Sequence, residues 1–167
     1  MGMPKALVHD EDGSWLVRGV GVLREGGCDP VSVVLGAAPE AADLLDESVA
    51  IVHATGWAEG MGASLRAGLT ALGDTDASAV LVSLVDLPDL TAEVVRRLAA
   101  LHDGPATLAR AAYAGVPGHP VLLGRDHWVG VCAAATGDRG ARDYLATASV
   151  RLVECGDLAT GQDVDRR

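Results

Sequence analysis

The sequence predicts a three-layer α/β domain whose sheet is mostly parallel and covered by helices on both faces. Short β-branched runs alternate along the chain with segments whose apolar residues recur at helical spacing. The 167 residues, 49% of them hydrophobic, suffice for one domain, 1–167, with a sizeable core. With no Phe, three Trp and two Tyr, that core must be built from Val, Leu and Ala.

The predicted strands are runs of aliphatic residues, the pattern of strands buried on both faces. The strongest run is AVLVSLV at residues 79–85, and the run VSVVL at residues 31–35 ends at Gly36. Shorter candidates cover residues 49–52, 107–111, 121–123 and 150–153.

Five helical segments are expected between these strands. Hydroxyl side chains at Ser14 and Thr91 can accept a backbone N–H and so cap two of them. The second segment places three leucines on one face, at i, i+4 and i+7. The segments are marked by residues 14–25, by Leu65, Leu69 and Leu72, by the cap Thr91, and by residues 128–136 and 141–147.

Charge and composition limit the partners. A net charge of −10 argues against a nucleic-acid partner, because binding to its backbone depends on clustered Lys and Arg. Three cysteines without a CxxC spacing are typical of thiols in a reducing compartment. No apolar run reaches the roughly 18 residues that span a bilayer, and no signal peptide is evident. We therefore expect a cytoplasmic protein with no nucleic acid and no membrane among its partners.

The strongest strand leads directly into VDLPD at residues 85–89. In α/β sheets, ligands bind beyond the carboxyl ends of the strands, so Asp86 is placed to hold a hard cation such as Mg²⁺. The alternative is an ordinary turn in which Pro88 stops the strand and Asp89 or Thr91 caps the next helix.

The segment GMGASLRAG at residues 60–68 places two glycines at the start of a helix. Unpaired backbone N–H groups and small side chains there form a surface suited to an anion or a nucleotide. The candidate residues are Gly60, Gly62, Ala63 and Ser64. A tight helix entry without a ligand is an equally good interpretation.

Two later segments are candidates for binding an acceptor. GVPGHP at residues 115–120 could place a histidine and bare backbone against a substrate, or form a rigid hairpin turn. GDRGAR at residues 137–142 could bind a phosphate through an arginine, or simply stop one helix and cap another. The candidate residues are Gly118, His119, Pro120, Asp138, Arg139 and Arg142.

In this order, the segments MGMPKAL, GMGASLRAGL, VDLPD, GVPGHP, GDRGAR and QDVD resemble those of MobA-like nucleotidyltransferases. The likeness covers essentially the whole chain and is closest to the molybdenum-cofactor cytidylyltransferase branch. It implies a Rossmann-like nucleotidyltransferase fold and Mg²⁺ as cofactor. It also implies nucleotide contacts at Gly2 and Lys5, with Lys5 and Asp86 in catalysis. The implied metal ligands are Asp86, Asp163 and Asp165.

By the same resemblance, the enzyme moves a nucleoside monophosphate from an NTP, CTP being favoured, to molybdopterin and releases pyrophosphate. The first strand of the family, most of its triphosphate loop and its last helix are not found in this sequence. We therefore expect either self-association that covers the gap or further residues ahead of Met1. Two alternatives stay open: another phosphorylated acceptor, such as a sugar phosphate, or a non-catalytic nucleotide-binding remnant.

Overall fold

The computed structural model describes residues 3–164, so Gly2 and Asp165 lie outside the described part of the chain. Its helices are α1 (Trp15–Glu25), α2 (Met61–Gly73), α3 (Ala92–Ala99), α4 (Trp128–Ala134) and α5 (Arg142–Thr147). Its strands are β1 (His9–Asp10), β2 (Gly13–Ser14), β3 (Ser32–Leu35), β4 (Ala50–His53), β5 (Ala79–Val82), β6 (Leu108–Tyr113), β7 (Val116–Gly124) and β8 (Arg151–Glu154). Within residues 3–164, no helix is long and apolar enough to cross a membrane.

Both predicted helix caps are confirmed. The Ser14 hydroxyl accepts a hydrogen bond from the N–H of Val17 at 3.3 Å. The Thr91 hydroxyl accepts one from Val94 at 3.4 Å. Each bond satisfies an N–H group that has no partner within its helix, which explains why α1 and α3 begin where the sequence predicts.

The strands form a layer between two layers of helices, as predicted. On one face, α1 and α3 pack against the sheet through fully buried residues such as Val94, Val95 and Leu98. On the other face, α2, α4 and α5 pack through Leu69, Val131 and Leu145. The three-layer α/β architecture is therefore confirmed.

The strand directions are mixed rather than mostly parallel. The strand pairs β3–β4 and β6–β8 are parallel, whereas β7 runs antiparallel to both β5 and β6. The reversal is a hairpin whose turn residues Ala114 and Gly115 have φ values of 51° and 78°, the left-handed conformation that such two-residue turns require. Residues 116–120, predicted as a turn or an acceptor loop, lie inside β7.

The strand layer is interrupted between β3 and β5, which do not pair with each other. The described strands form three separate sheets, β1–β2, β3–β4 and β5–β7–β6–β8, so β3 and β5 each have one edge without a strand partner in residues 3–164. The same helices cover both strands: residues of α1 share one core cluster with Val33 and another with Leu81, and α2 packs near Val34 and shares a cluster with Val82. Self-association that covers these edges stays a prediction.

Candidate active site

The site is centred on a carboxylate that follows the carboxyl end of β5, as predicted, although the strand ends at Val82 and not at Val85. Asp86 is only 6% exposed, and its Oδ2 accepts a hydrogen bond from the Nζ of Lys5, a residue 81 positions earlier in the chain. The Lys5 side chain is 42% exposed and therefore reaches from solvent into the site. The Asp86 carboxylate is therefore paired with a lysine whose ammonium group can also contact a phosphate.

The C-terminal segment brings a second carboxylate residue to the same place. The N–H of Val164 donates to the backbone carbonyl of Asp86 at 3.0 Å, which holds the neighbouring Asp163 beside the strand end. The negative charges of Asp86 and Asp163 both raise the pKa of His119, so both carboxylates lie close enough to the imidazole to interact with it. The structure therefore brings together Lys5, Asp86, His119 and Asp163.

The donor set fits a cation that a substrate helps to coordinate. In the described part of the chain, no group of three or more His, Cys, Asp or Glu side chains is arranged to hold a metal by itself. Mg²⁺, however, is commonly held by one or two carboxylates while water and substrate phosphates complete its shell. Asp86 and Asp163 suit that arrangement.

His119 lies in β7 and is held by its own backbone, because its carbonyl accepts a 2.7 Å hydrogen bond from the Tyr113 hydroxyl. Burial, together with the positive charge of Arg110, lowers the pKa of the imidazole to about 4 against the opposing pull of Asp86 and Asp163. The ring is therefore neutral at neutral pH. It can offer a hydrogen bond to a ligand but adds no positive charge.

The neighbours of His119 in the predicted acceptor group have structural contacts. Pro120 is among the largest fully buried side chains, so it packs in the core instead of facing a ligand. The carbonyl of Gly118 accepts hydrogen bonds from the guanidinium of Arg110.

A cavity of about 330 Å³ opens beside Lys5. Three of the predicted nucleotide-binding residues, Lys5, Gly60 and Ser64, line it. The loop that follows β3, and Trp57, also line the cavity, and neither was predicted from the sequence. That loop also lies beyond the carboxyl end of a strand, so Gly36 at the end of VSVVL could have indicated it. The lining residues are Pro4, Lys5, Ala6, Val34, Leu35, Gly36, Ala37, Ala38, Trp57, Gly60, Met61, Ser64 and Asp138.

Two of the predicted nucleotide-binding residues are buried away from this cavity. Gly62 and Ala63 lie in the first turn of α2, and neither lines the cavity. A Cβ atom at Gly62 would come within 2.9 Å of the backbone carbon of Ala135. The glycine therefore lets α2 approach the segment that follows α4.

This contact predicts opposite effects for two substitutions in one helix. We expect Gly62→Ala to lower the free energy of unfolding by roughly 1–3 kcal/mol, because its methyl group meets backbone that cannot rotate away. The matched control is Gly73→Ala, where no atom lies within 4 Å. It should leave stability unchanged or raise it by up to about 1 kcal/mol. Urea denaturation of both variants measures the difference, and equal effects would contradict the packing role.

The segment GDRGAR divides between two places. One carboxylate oxygen of Asp138 lies 3.4 Å from the N–H of Met61, and the residue lines the cavity. Arg139 is 62% exposed and pairs with Asp143 at 2.7 Å. Arg142, at the start of α5, lies close enough to Arg110 for the two charges to interact. The structure therefore does not gather Asp138, Arg139 and Arg142 at one acceptor site.

Comparison with known proteins supports a family assignment. A model of the MobA-like NTP transferase domain matches residues 1–154. A nicotine blue oxidoreductase of Paenarthrobacter nicotinovorans is 33% identical over 180 residues, which cover 97% of this chain and 83% of that protein.

Solved structures agree with this match. The homolog of Rv0371c from Mycobacterium sp. strain JC1 is 27% identical with a TM-score of 0.81, and the match covers 99% of this chain and 83% of that one. Rv0371C of Mycobacterium tuberculosis H37Rv, in complex with manganese, is 26% identical with a TM-score of 0.72; the match covers 91% of this chain and 81% of that one. Sequence and fold agree, and the chain belongs to the MobA-like NTP transferase domain family of nucleotidyltransferases.

Proposed function

We propose that this chain transfers a nucleoside monophosphate from an NTP, with CTP favoured, to the phosphate of molybdopterin in the cytoplasm. The observation that carries the proposal is the buried Asp86 carboxylate, paired with Lys5 beside the cavity. A negative group that holds a cation and a lysine that faces phosphates are what a triphosphate site needs.

In the proposed reaction, an oxygen of the acceptor phosphate attacks the α-phosphorus of the NTP. The new P–O bond forms as the bond from the α-phosphorus to the oxygen that bridges it to the β-phosphorus breaks. Pyrophosphate leaves with the electron pair of the broken bond. No covalent intermediate with the protein is needed, so the residues act by positioning the substrates and neutralising charge. Lys5 would stabilise the charge that builds on the phosphates, and neutral His119 would orient the acceptor by a hydrogen bond.

The proposed cofactor is Mg²⁺, held by Asp86 and Asp163. When bound, a divalent cation offsets phosphate charge and orients the triphosphate. The manganese bound by the Mycobacterium tuberculosis relative supports a divalent cation, since Mn²⁺ and Mg²⁺ both prefer oxygen donors. We propose Asp165 as a third ligand, and Gly2 as part of the triphosphate loop.

The preference for CTP rests on the likeness of GMGASLRAGL and GDRGAR to the cytidylyltransferase branch. Ser64 supports it, because the residue lines the cavity and its hydroxyl can donate or accept a hydrogen bond at a base edge. A site built to hydrogen-bond one base leaves buried groups unpaired when another base binds. The choice of base should therefore be measurable as a difference in kcat/KM.

The test supplies CTP, GTP, ATP and UTP in turn, each with molybdopterin and Mg²⁺, and measures pyrophosphate release. We expect CTP to exceed each other nucleotide by at least about tenfold in kcat/KM. Removal of the cation with EDTA should abolish release, and Mg²⁺ or Mn²⁺ should restore it. Equal rates with CTP and GTP would contradict the base assignment, and release with a sugar phosphate alone would contradict the acceptor.

A second candidate function follows from the curated relative. That protein is named a nicotine blue oxidoreductase and shares 33% identity with this chain. The redox function is tested by supplying nicotine blue with NADH or NADPH and measuring the loss of dye colour. Dye reduction without pyrophosphate release would favour the redox function. Nucleotide binding without either reaction would indicate a non-catalytic remnant.

A further inference from the structure

Arg110 lies in the middle of the otherwise apolar strand β6, whose sequence is LARAAY. Its side chain is half-buried, whereas the other residues of the strand are buried. Successive side chains alternate between the faces of a strand, so Arg110 shares a face with Leu108, which packs in the core formed by α2, α4 and α5. A charged group at such a place needs compensation.

The protein supplies little of that compensation. The Nε and Nη2 atoms of Arg110 donate to the carbonyl of Gly118 at 3.2 and 3.1 Å. No carboxylate in residues 3–164 forms an ion pair with the guanidinium. Burial lowers the pKa of the Arg110 guanidinium, and the positive charge of Arg142 lowers it further. Two neighbouring cations without a carboxylate favour an anionic ligand.

Arg110 lies close to His119 but outside the cavity beside Lys5. Arg110 holds the carbonyl of Gly118, the residue before His119, and its charge acts on the His119 ring. His119 in turn lies within the influence of Asp86 and Asp163. Arg110 is not among the residues that line the cavity beside Lys5. An anion at Arg110 would therefore lie near the carboxylates but outside the proposed nucleotide cavity.

We propose that Arg110, together with Arg142, binds a phosphomonoester dianion: the phosphate of the acceptor. The inference rests on the proposed function for the identity of that phosphate as the attacking group. The anion site itself stands on Arg110: a half-buried guanidinium that donates to the Gly118 carbonyl and forms no ion pair within residues 3–164. The guanidinium of Arg110 has donors left beyond those that Gly118 uses, and a planar fork matches two phosphate oxygens.

The simpler interpretation is structural. The register of the β6–β7 pair shifts between Arg110 and Ala112, and Arg110 could serve only to brace the Gly118 carbonyl at that irregularity. In that case its replacement would lower stability without affecting any anion. Stability and anion binding must therefore be measured on the same variants.

The experiment titrates inorganic phosphate, and separately glycerol 3-phosphate, into the ¹⁵N-labelled full chain and follows the amide resonances of Gly118 and His119. We expect saturable shifts in the wild type and a loss of affinity of about ten- to hundredfold in Arg110→Met, the effect of one charge-assisted contact. Arg110→Lys, which keeps the charge without the fork, should be intermediate. Arg151→Met is the matched control, an exposed arginine on the neighbouring strand β8, and should bind as the wild type does.

Shifts in Arg110→Met equal to those in the wild type, or no saturable shift in the wild type, would overturn the proposal. Thermal melts show whether each variant is folded, and Arg142→Met offers a second test if Arg110→Met is not. Binding of CTP with Mn²⁺ is measured in parallel and should change less than about twofold in Arg110→Met. If phosphate binds through Arg110 but the chain releases no pyrophosphate, the anion site stands and the proposed function is rejected. If the chain releases pyrophosphate but Arg110→Met binds phosphate as the wild type does, the proposed function stands and the anion site is rejected.

Discussion

Asp86→Asn should reduce the rate of nucleotidyl transfer by about 10²–10³-fold or more, and weaken metal-dependent nucleotide binding. The substitution keeps the size of the side chain but removes the charge that would hold the cation. Stability should change by no more than about 1 kcal/mol, because the Lys5 side chain is 42% exposed and its charge stays solvated when the Asp86 charge is removed. Titration of CTP in the presence of Mg²⁺, together with thermal melts, measures both effects.

The control for this prediction is an ion pair away from the site. Asp157 pairs with Arg97 at 2.7 Å, and its side chain is largely exposed. Asp157→Asn should leave nucleotide binding and turnover unchanged. If Asp86→Asn instead lowers the melting temperature and binds nucleotide as the wild type does, Asp86 is a structural residue and the proposed metal site is wrong.

Gly60→Ala should have the second large effect, because two constraints meet at this residue. Its φ of +113° with a ψ of −176° is a conformation that almost only glycine adopts. A Cβ atom there would also lie 2.5 Å from the backbone carbon of Gly137 and 2.6 Å from the Asp138 carboxylate. The strain alone costs about 1–3 kcal/mol. The overlap must also push Asp138 away from the start of α2, so we expect nucleotide affinity to fall at least about tenfold.

Gly104→Ala is the control that separates the effect of backbone strain from the effect of a substitution beside the cavity. Gly104 has a φ of +107°, but no atom lies within 4 Å of where its Cβ would be. That variant should lose stability by about 1–3 kcal/mol yet bind CTP as the wild type does. If Gly60→Ala also binds CTP normally, the cavity beside Gly60 is not the nucleotide site.

The elements whose existence depends on local pattern could be predicted from the sequence. Residues 79–82 of the aliphatic run before Asp86 form β5, the hydroxyls of Ser14 and Thr91 cap their helices, and the leucine face of α2 packs in the core. These features arise from side-chain periodicity and from contacts a few residues apart, which the order of residues specifies directly. The position of Asp86 at a strand end follows from the same pattern.

Strand direction was decided by the tertiary structure. Aliphatic runs in parallel and in antiparallel strands look alike when both faces are buried. The hairpin at Ala114 and Gly115, and with it the inclusion of residues 116–120 in β7, therefore depended on pairing along the sheet. The carbonyl of Gly118 and the ring of His119 belong to a strand as a result, and Arg110 on the facing strand could reach them.

The order of residues was enough to predict the fold class, the family resemblance and the residues from which the site is built. Which of those residues meet depends on how the chain packs in three dimensions. Asp138 and Arg142 are neighbours in one segment, yet Asp138 approaches the start of α2 and Arg142 approaches Arg110, because Gly140 turns the chain between them with a φ of +52°. Lys5 and Asp86 are 81 positions apart and share a hydrogen bond. Contacts over such separations depend on how the layers pack, and no local pattern encodes them.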